Sequence, residues 1–139
     1  MKVILASHGS LADAMLKVLH MILGDEDDVQ ALYLDVYENP VALAQEVKKI
    51  IEVADGAPVV IVCDIKCGSV FNQLLPLCAN PGVTVFSGMN LDLVLHLVNI
   101  QPKTEAEFEE VVIQAQAGIA FFNKDTLEKM QNQNDADDF

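Results

Sequence analysis

The sequence predicts a doubly wound α/β fold built on a mostly parallel sheet. Three observations carry this: unbroken apolar runs of strand length, apolar residues at helical spacing directly after them, and Gly, Pro or Asn where one period gives way to the other. Residues 2–6 are apolar after Lys2 and do not alternate, as a strand buried on both faces reads. From Leu11 to Leu23 the period becomes helical, with Leu11, Met15, Val18 and Ile22 recurring, Ala12, Leu19 and Leu23 beside them, and Gly24 in the C-cap place. Met15, Met21 and Leu23 read as core stripe. After the acidic turn Asp25 to Asp28, residues 29–34 form a second strand, and Asn39-Pro40 opens a second helix by cap and first-turn logic. In that helix Leu43, Val47, Ile50 and Ala54 share a face. Asp55-Gly56-Ala57-Pro58 is a turn into the third strand, residues 59–63. A loop over residues 66–69 leads to a helix through about Cys78, which Asn80-Pro81-Gly82 ends. Residues 83–86 are a fourth strand, residues 91–98 a short helix, and residues 104–116 a longer one with Phe108, Val111, Val112 and Ala115 inward. Residues 118–122 are either its last turns or a short fifth strand. The expected organisation is one domain over residues 1–123, followed by a polar, acidic and partly disordered tail over residues 124–139.

Composition narrows the function. The 139 residues hold 8 Lys or Arg against 21 Asp or Glu, a net charge of −13, and no Trp. Nucleic acid is excluded as a partner, because so few cations cannot neutralise a run of phosphates and no aromatic platform exists for bases. The mean hydropathy of +0.31 is high, yet no apolar run approaches the ~20 residues that span a bilayer, so direct membrane insertion is not expected. His8 and Gly9 interrupt the first apolar run too early for a signal peptide, and three cysteines are an odd count for a disulfide framework. Both point to the cytoplasm.

In doubly wound sheets, ligands bind beyond the carboxyl ends of the strands, where strand order reverses. With the order 2-1-3-4, strands one and three are neighbours at that point, and His8 and Asp64 leave their ends on one edge. A carboxylate that fixes the tautomer of a His leaves the other ring nitrogen free to attack. Gly9 and Gly68 leave room beside the pair. Helices starting near Ser10 and Ser69 would aim backbone N–H groups at the same spot, which suits an anion. A lone His after a strand is more often a loop residue; His8 is singled out because Asp64 and two Gly-Ser loops share its edge.

These same segments carry a family resemblance. Residues 3–12, Val-Ile-Leu-Ala-Ser-His-Gly-Ser-Leu-Ala, resemble the opening of the enzyme IIA components of the mannose family of the bacterial sugar phosphotransferase system. Residues 62–72, Val-Cys-Asp-Ile-Lys-Cys-Gly-Ser-Val-Phe-Asn, resemble its second motif, and residues 86–91, Phe-Ser-Gly-Met-Asn-Leu, its third. The resemblance implies a four-stranded parallel sheet with a fifth, antiparallel strand often exchanged across a homodimer. It also implies a phosphotransferase with a phosphohistidine intermediate: His8 accepts a phosphoryl group from the phosphocarrier protein HPr and passes it to a IIB component for sugar uptake. Asp64 then holds the other ring N–H, and Gly9, Gly68 and Ser69 cradle the phosphate. No cofactor is needed.

The second motif departs from the family at Lys66, Cys67 and Val70, where an aromatic or small residue, a glycine and a proline are usual. Cys67 therefore stands where a glycine would permit positive φ. Lys66 reads as a solvated side chain, with an ammonium near a bound phosphate as the other reading. Two functional alternatives stand beside the leading one: the phosphotransfer subunit of a dihydroxyacetone kinase, and a non-catalytic regulatory or degenerate relative. Asn72 and the Gly88-Met89-Asn90 loop favour the mannose-type reading over the kinase subunit. The Cys63-x-x-x-Cys67 spacing suits no structural zinc site, so no metal is expected; Cys63 and Cys78 read as core, and His20 and His96 as structural or surface residues.

Overall fold

The computed structural model describes residues 1–137, with side chains described as far as residue 134. Strand β1 (Lys2–Ser7) is followed by α1 (Leu11–Leu23), β2 (Val29–Tyr33), α2 (Pro40–Ala54), β3 (Val59–Cys63) and α3 (Ser69–Leu74). After a 3₁₀ helix, Leu75–Ala79, come β4 (Val83–Phe86), α4 (Leu91–Ile100), α5 (Glu105–Ala117) and α6 (Lys124–Asp137). The four strands pair in parallel in the order β2-β1-β3-β4, as the sequence predicts.

Strand alternation sorts the apolar runs into two cores. Val3, Leu5, Val60 and Val62 point to the side covered by α1, α4 and α5, where Leu19, Leu97 and Val111 are buried. Ile4, Ala6, Ile61 and Cys63 point to the other side, against Leu43 and Val47 of α2 and Val70 and Leu74 of α3. The unbroken apolar run of residues 3–6 in β1 and 59–63 in β3 is therefore what a sheet covered on both faces requires. Asn39 and Asn90 cap α2 and α4 through their side chains, and Thr104 with Glu107 forms a capping box at α5.

Four expectations are corrected. The inward face of α1 is Ala12, Met15, Leu16, Leu19 and Leu23, while Leu11, Val18 and Ile22 are exposed and Met21 is 85% exposed. Asp13, Lys17 and His20 form a polar stripe and the expected apolar line lies opposite it, but the sheet covers the stripe beside that line instead. Cys78 is exposed and Leu77 takes the buried place. Pro76 lacks an N–H, the α-helix gives way to a 3₁₀ segment, and the change of residues per turn carries Cys78 off the inward line. Residues 118–123 are neither helix nor strand in the single chain: Ile119, Phe121 and Phe122 extend exposed. Finally, residues 124–137 are helical where an irregular tail is expected; of that tail, residues 138–139 lie outside the described residues. No helix among the described residues is long and apolar enough to cross a membrane.

Candidate active site

Parallel pairing of β1 with β3 brings Ala6 opposite Cys63, so the chain leaves both strands together and His8 and Asp64 emerge side by side. Asp64 Oδ2 accepts the backbone N–H of His8 at 2.8 Å and lies 2.7 Å from His8 Nδ1, while Oδ1 accepts the N–H of Ile65 at 2.9 Å. Burial works against ionisation of Asp64, but these three donors outweigh it and hold the carboxyl below its ordinary range. An ionised carboxylate can only accept, so the proton of the neutral imidazole resides on Nδ1. Nε2 is left with its lone pair, and the Ser69 hydroxyl donates to it at 2.9 Å. The His8 side chain is 45% exposed and that of Asp64 10%, so the ring is open to solvent while the carboxylate that holds it is covered.

The glycines on this edge have different reasons. Gly9 turns the chain from β1 into α1 at φ +51°, with open space where a Cβ would be; the requirement is conformational. Gly68 has an ordinary φ, but a Cβ there would stand 2.8 Å from Ile65 Cγ2 and 3.4 Å from His8 Cε1. Its requirement is the close approach of the Ile65 side chain, with the imidazole just at contact distance. Gly68 also caps α3, leaving the first amides of that helix without intrahelical partners beside Ser69. All five candidate residues, His8, Asp64, Gly9, Gly68 and Ser69, thus converge at one edge.

Cys67 adopts φ +64°, the left-handed conformation that a glycine would permit, and the Asn72 side chain donates to its carbonyl at 3.3 Å. A left-handed L-residue costs roughly 1–2 kcal/mol, offset in part by the roughly 0.5–1 kcal/mol of unfolded-chain entropy a glycine would add. Cys67→Gly should therefore raise the urea midpoint by the equivalent of about 0.5–1 kcal/mol, while Cys67→Ala should not. A midpoint lowered by the glycine would mean that the conformation carries no strain.

Burial first, then the charges of Asp64 and Cys78, pushes the Cys63 thiol up to about 12, so it stays protonated and is a poor nucleophile at neutral pH. Among the described residues no three His, Cys, Asp or Glu side chains cluster as a metal site would. Lys66 is exposed and pairs with no carboxylate among the described residues. His20 and His96 lie on α1 and α4, away from this edge; His96 Nδ1 donates to the Asp92 carbonyl at 2.7 Å. Ser7 has as its only signal in the sequence a hydroxyl ending an apolar run; it is fully buried, directly before His8.

A groove of about 660 Å³ lies elsewhere, along the outer edge of β4 against α5, lined by Thr84, Phe86, Phe108, Val112, Ile113 and Gln116. No strand covers that edge of the sheet.

Residues 2–116 match the family of PTS system fructose IIA components, EIIA-man. The sorbose-specific EIIA component of the PTS system of Klebsiella pneumoniae is 34% identical over 105 residues, 75% of this chain and 77% of that protein. A solved structure from Klebsiella pneumoniae subsp. pneumoniae, ascribed to a phosphoenolpyruvate-dependent sugar phosphotransferase system permease, is 31% identical with a TM-score of 0.74, covering 88% of this chain and 91% of its own. The PTS IIA protein associated with the fucose utilization operon of Streptococcus pneumoniae is 26% identical with a TM-score of 0.70, covering 88% and 91%.

Proposed function

The chain belongs to the mannose-type IIA family of the sugar phosphotransferase system, whose members transfer phosphoryl groups between HPr and a IIB component, and from that premise we propose that His8 is the residue that carries the group. The observation that supports this most is the division of labour on one imidazole of an exposed side chain: Nδ1 held by an ionised Asp64, Nε2 left with its lone pair beside the Ser69 hydroxyl. In the forward step Nε2 attacks phosphorus of phospho-HPr, the Nε2–P bond forms as the donor P–N bond breaks, and the HPr imidazole leaves with the electron pair. Positive charge that develops on the His8 ring is balanced by Asp64 through Nδ1–H. The Ser69 hydroxyl turns from Nε2 to a phosphate oxygen, and backbone amides near Gly9, Gly68 and Ser69 meet the others. Passing the group to IIB reverses these roles. Because imidazole leaves as readily as it attacks, transfer is close to balanced in both directions. The relatives reported above are sugar phosphotransferase components, which favours this reading over a dihydroxyacetone kinase subunit or a regulatory module. Intact-mass measurement after incubation with phospho-HPr, on the native chain and on His8→Ala, tests it.

The working form is a homodimer on the cytoplasmic side, in which residues 119–122 of each copy cover the β4 edge of the other. Support comes from a strand edge that no strand among the described residues covers, an apolar groove beside it, and three large apolar side chains at 75%, 75% and 69% exposure. Light scattering at micromolar concentration should give twice the 15.2 kDa of one chain. Deleting residues 118–139 should halve that mass and lower the melting temperature, whereas deletion from Gln131 should do neither. A monomer mass for the full chain, or an unchanged mass after truncation at Gly118, rules the exchanged-segment dimer out. Residues 1–123 then hold the whole carrier function, with residues 124–139 an appendage to it.

A further inference from the structure

Ser7 is the one polar residue in the buried set among the described residues, and it lies directly before His8. Its Oγ accepts the N–H of Ala12 at 2.8 Å and donates to the carbonyl of Gly9 at 3.3 Å. Those two backbone groups flank the turn His8-Gly9-Ser10, so a single hydroxyl closes the turn from beneath. Ser10, in the N-cap position of α1, makes no side-chain cap bond; the helix start is held by Ser7, five residues before Ala12. The Ser7 backbone is itself fixed, opposite Tyr33 in the sheet and accepting the N–H of Leu34 at 3.2 Å. A rigid strand end and a rigid helix start are thereby tied together on either side of an exposed imidazole.

We propose that Ser7 is a positioning residue for phosphoryl transfer, acting through the backbone of the turn to aim His8 at both Asp64 and the incoming phosphorus; this rests on His8 being the carrier. The backbone N–H of His8 is one of the donors to Asp64 Oδ2, so the turn conformation sets the carboxylate contact as well as the ring direction. Removing the hydroxyl leaves a buried N–H and a C=O without their partner, and the turn gains conformations in which those groups find others. Alignment of reacting atoms within a few tenths of an ångström is what such a change degrades, and outer-shell partners of this kind typically govern activity about 10–100-fold.

The test is the rate of transfer from phospho-HPr to the full chain, per folded protein, in Ser7→Ala and Ser7→Thr. Ser7→Ala should transfer about tenfold more slowly, equivalent to about 1.4 kcal/mol of barrier, and Ser7→Thr, which restores the hydroxyl, should recover most of the rate. A merely structural role would not move the tautomer: nitrogen-15 spectra of the His8 ring should show Nδ1–H in the native chain and a mixture of tautomers in Ser7→Ala. If Ser7→Ala does not fold, Ser7→Cys, which fills the space with a poor acceptor, should be slowed and show the same mixing. Native rate and native tautomer in Ser7→Ala, or in Ser7→Cys where Ser7→Ala does not fold, overturn the inference. Labelling of His8→Ala would instead overturn His8 as the carrier, so the two failures are distinct.

Discussion

Incubated with phosphoenolpyruvate, enzyme I and HPr, the native chain should gain about 80 Da, one phosphoryl group, and His8→Ala should gain none. The effect is all-or-none because the other histidines are not built for the reaction. His96 spends its Nδ1 proton on a backbone carbonyl within its own helix, and His20 Nε2 is buried without a partner, closed to a donor the size of a protein. His20→Ala and His96→Ala should therefore label fully. Acid lability of the added mass identifies a phosphoramidate rather than a phosphoserine, which separates His8 from its neighbour Ser69. Label that persists in His8→Ala refutes the assignment.

The second large effect is expected at Asp64→Asn, and the geometry says why no amide orientation rescues it. Three N–H groups converge on this carboxylate: two of them, the His8 backbone and ring, on Oδ2, and the Ile65 backbone on Oδ1. If the amide oxygen faces His8, its NH₂ confronts the Ile65 N–H; if the amide is turned, NH₂ confronts both His8 donors and drives the ring proton to Nε2, removing the nucleophile. Either way the charge that balances the imidazolium is gone. Carboxylate-to-amide changes beside a catalytic imidazole cost up to about 10⁴ in rate elsewhere, and a loss of about 10²–10⁴ is expected here with the fold retained. Transfer at the native rate would make Asp64 a bystander. The same substitution has a pH signature. Because the folded carboxyl titrates below its unfolded value, its contribution to stability is complete above about pH 4 and is lost as pH falls through the lower folded value. Native and Asp64→Asn stabilities should thus differ at neutral pH and converge in acid.

How far such a site can be read in advance depends on what kind of force places each residue. The middle of β1 and all of β3 are legible because burial on both faces leaves an unbroken apolar run there. The cap at Asn39 is legible because a local hydrogen bond writes itself into neighbouring residues. The meeting of His8 and Asp64 follows once strands one and three are placed side by side.

Elsewhere the deciding contact lies far along the chain or involves no side chain at all. The stripe of α1 that faces the sheet is set by how the helix lies on the strands, and it is not the line opposite the polar stripe of Asp13, Lys17 and His20. The left-handed backbone of Cys67 is imposed by closing the loop between β3 and α3, against the preference of the residue present. Proton placement on the imidazole needs donors and acceptor within 3 Å of one another, from residues 56 and 61 positions apart. By itself the sequence determined the strands and their parallel, doubly wound class, because those depend on apolar pattern alone, and, given the order 2-1-3-4, which two side chains would meet at its switch point. Only the tertiary structure decided which nitrogen of His8 is free to react, because a tautomer is selected by the direction of hydrogen bonds, and direction exists only once the chain has closed around them.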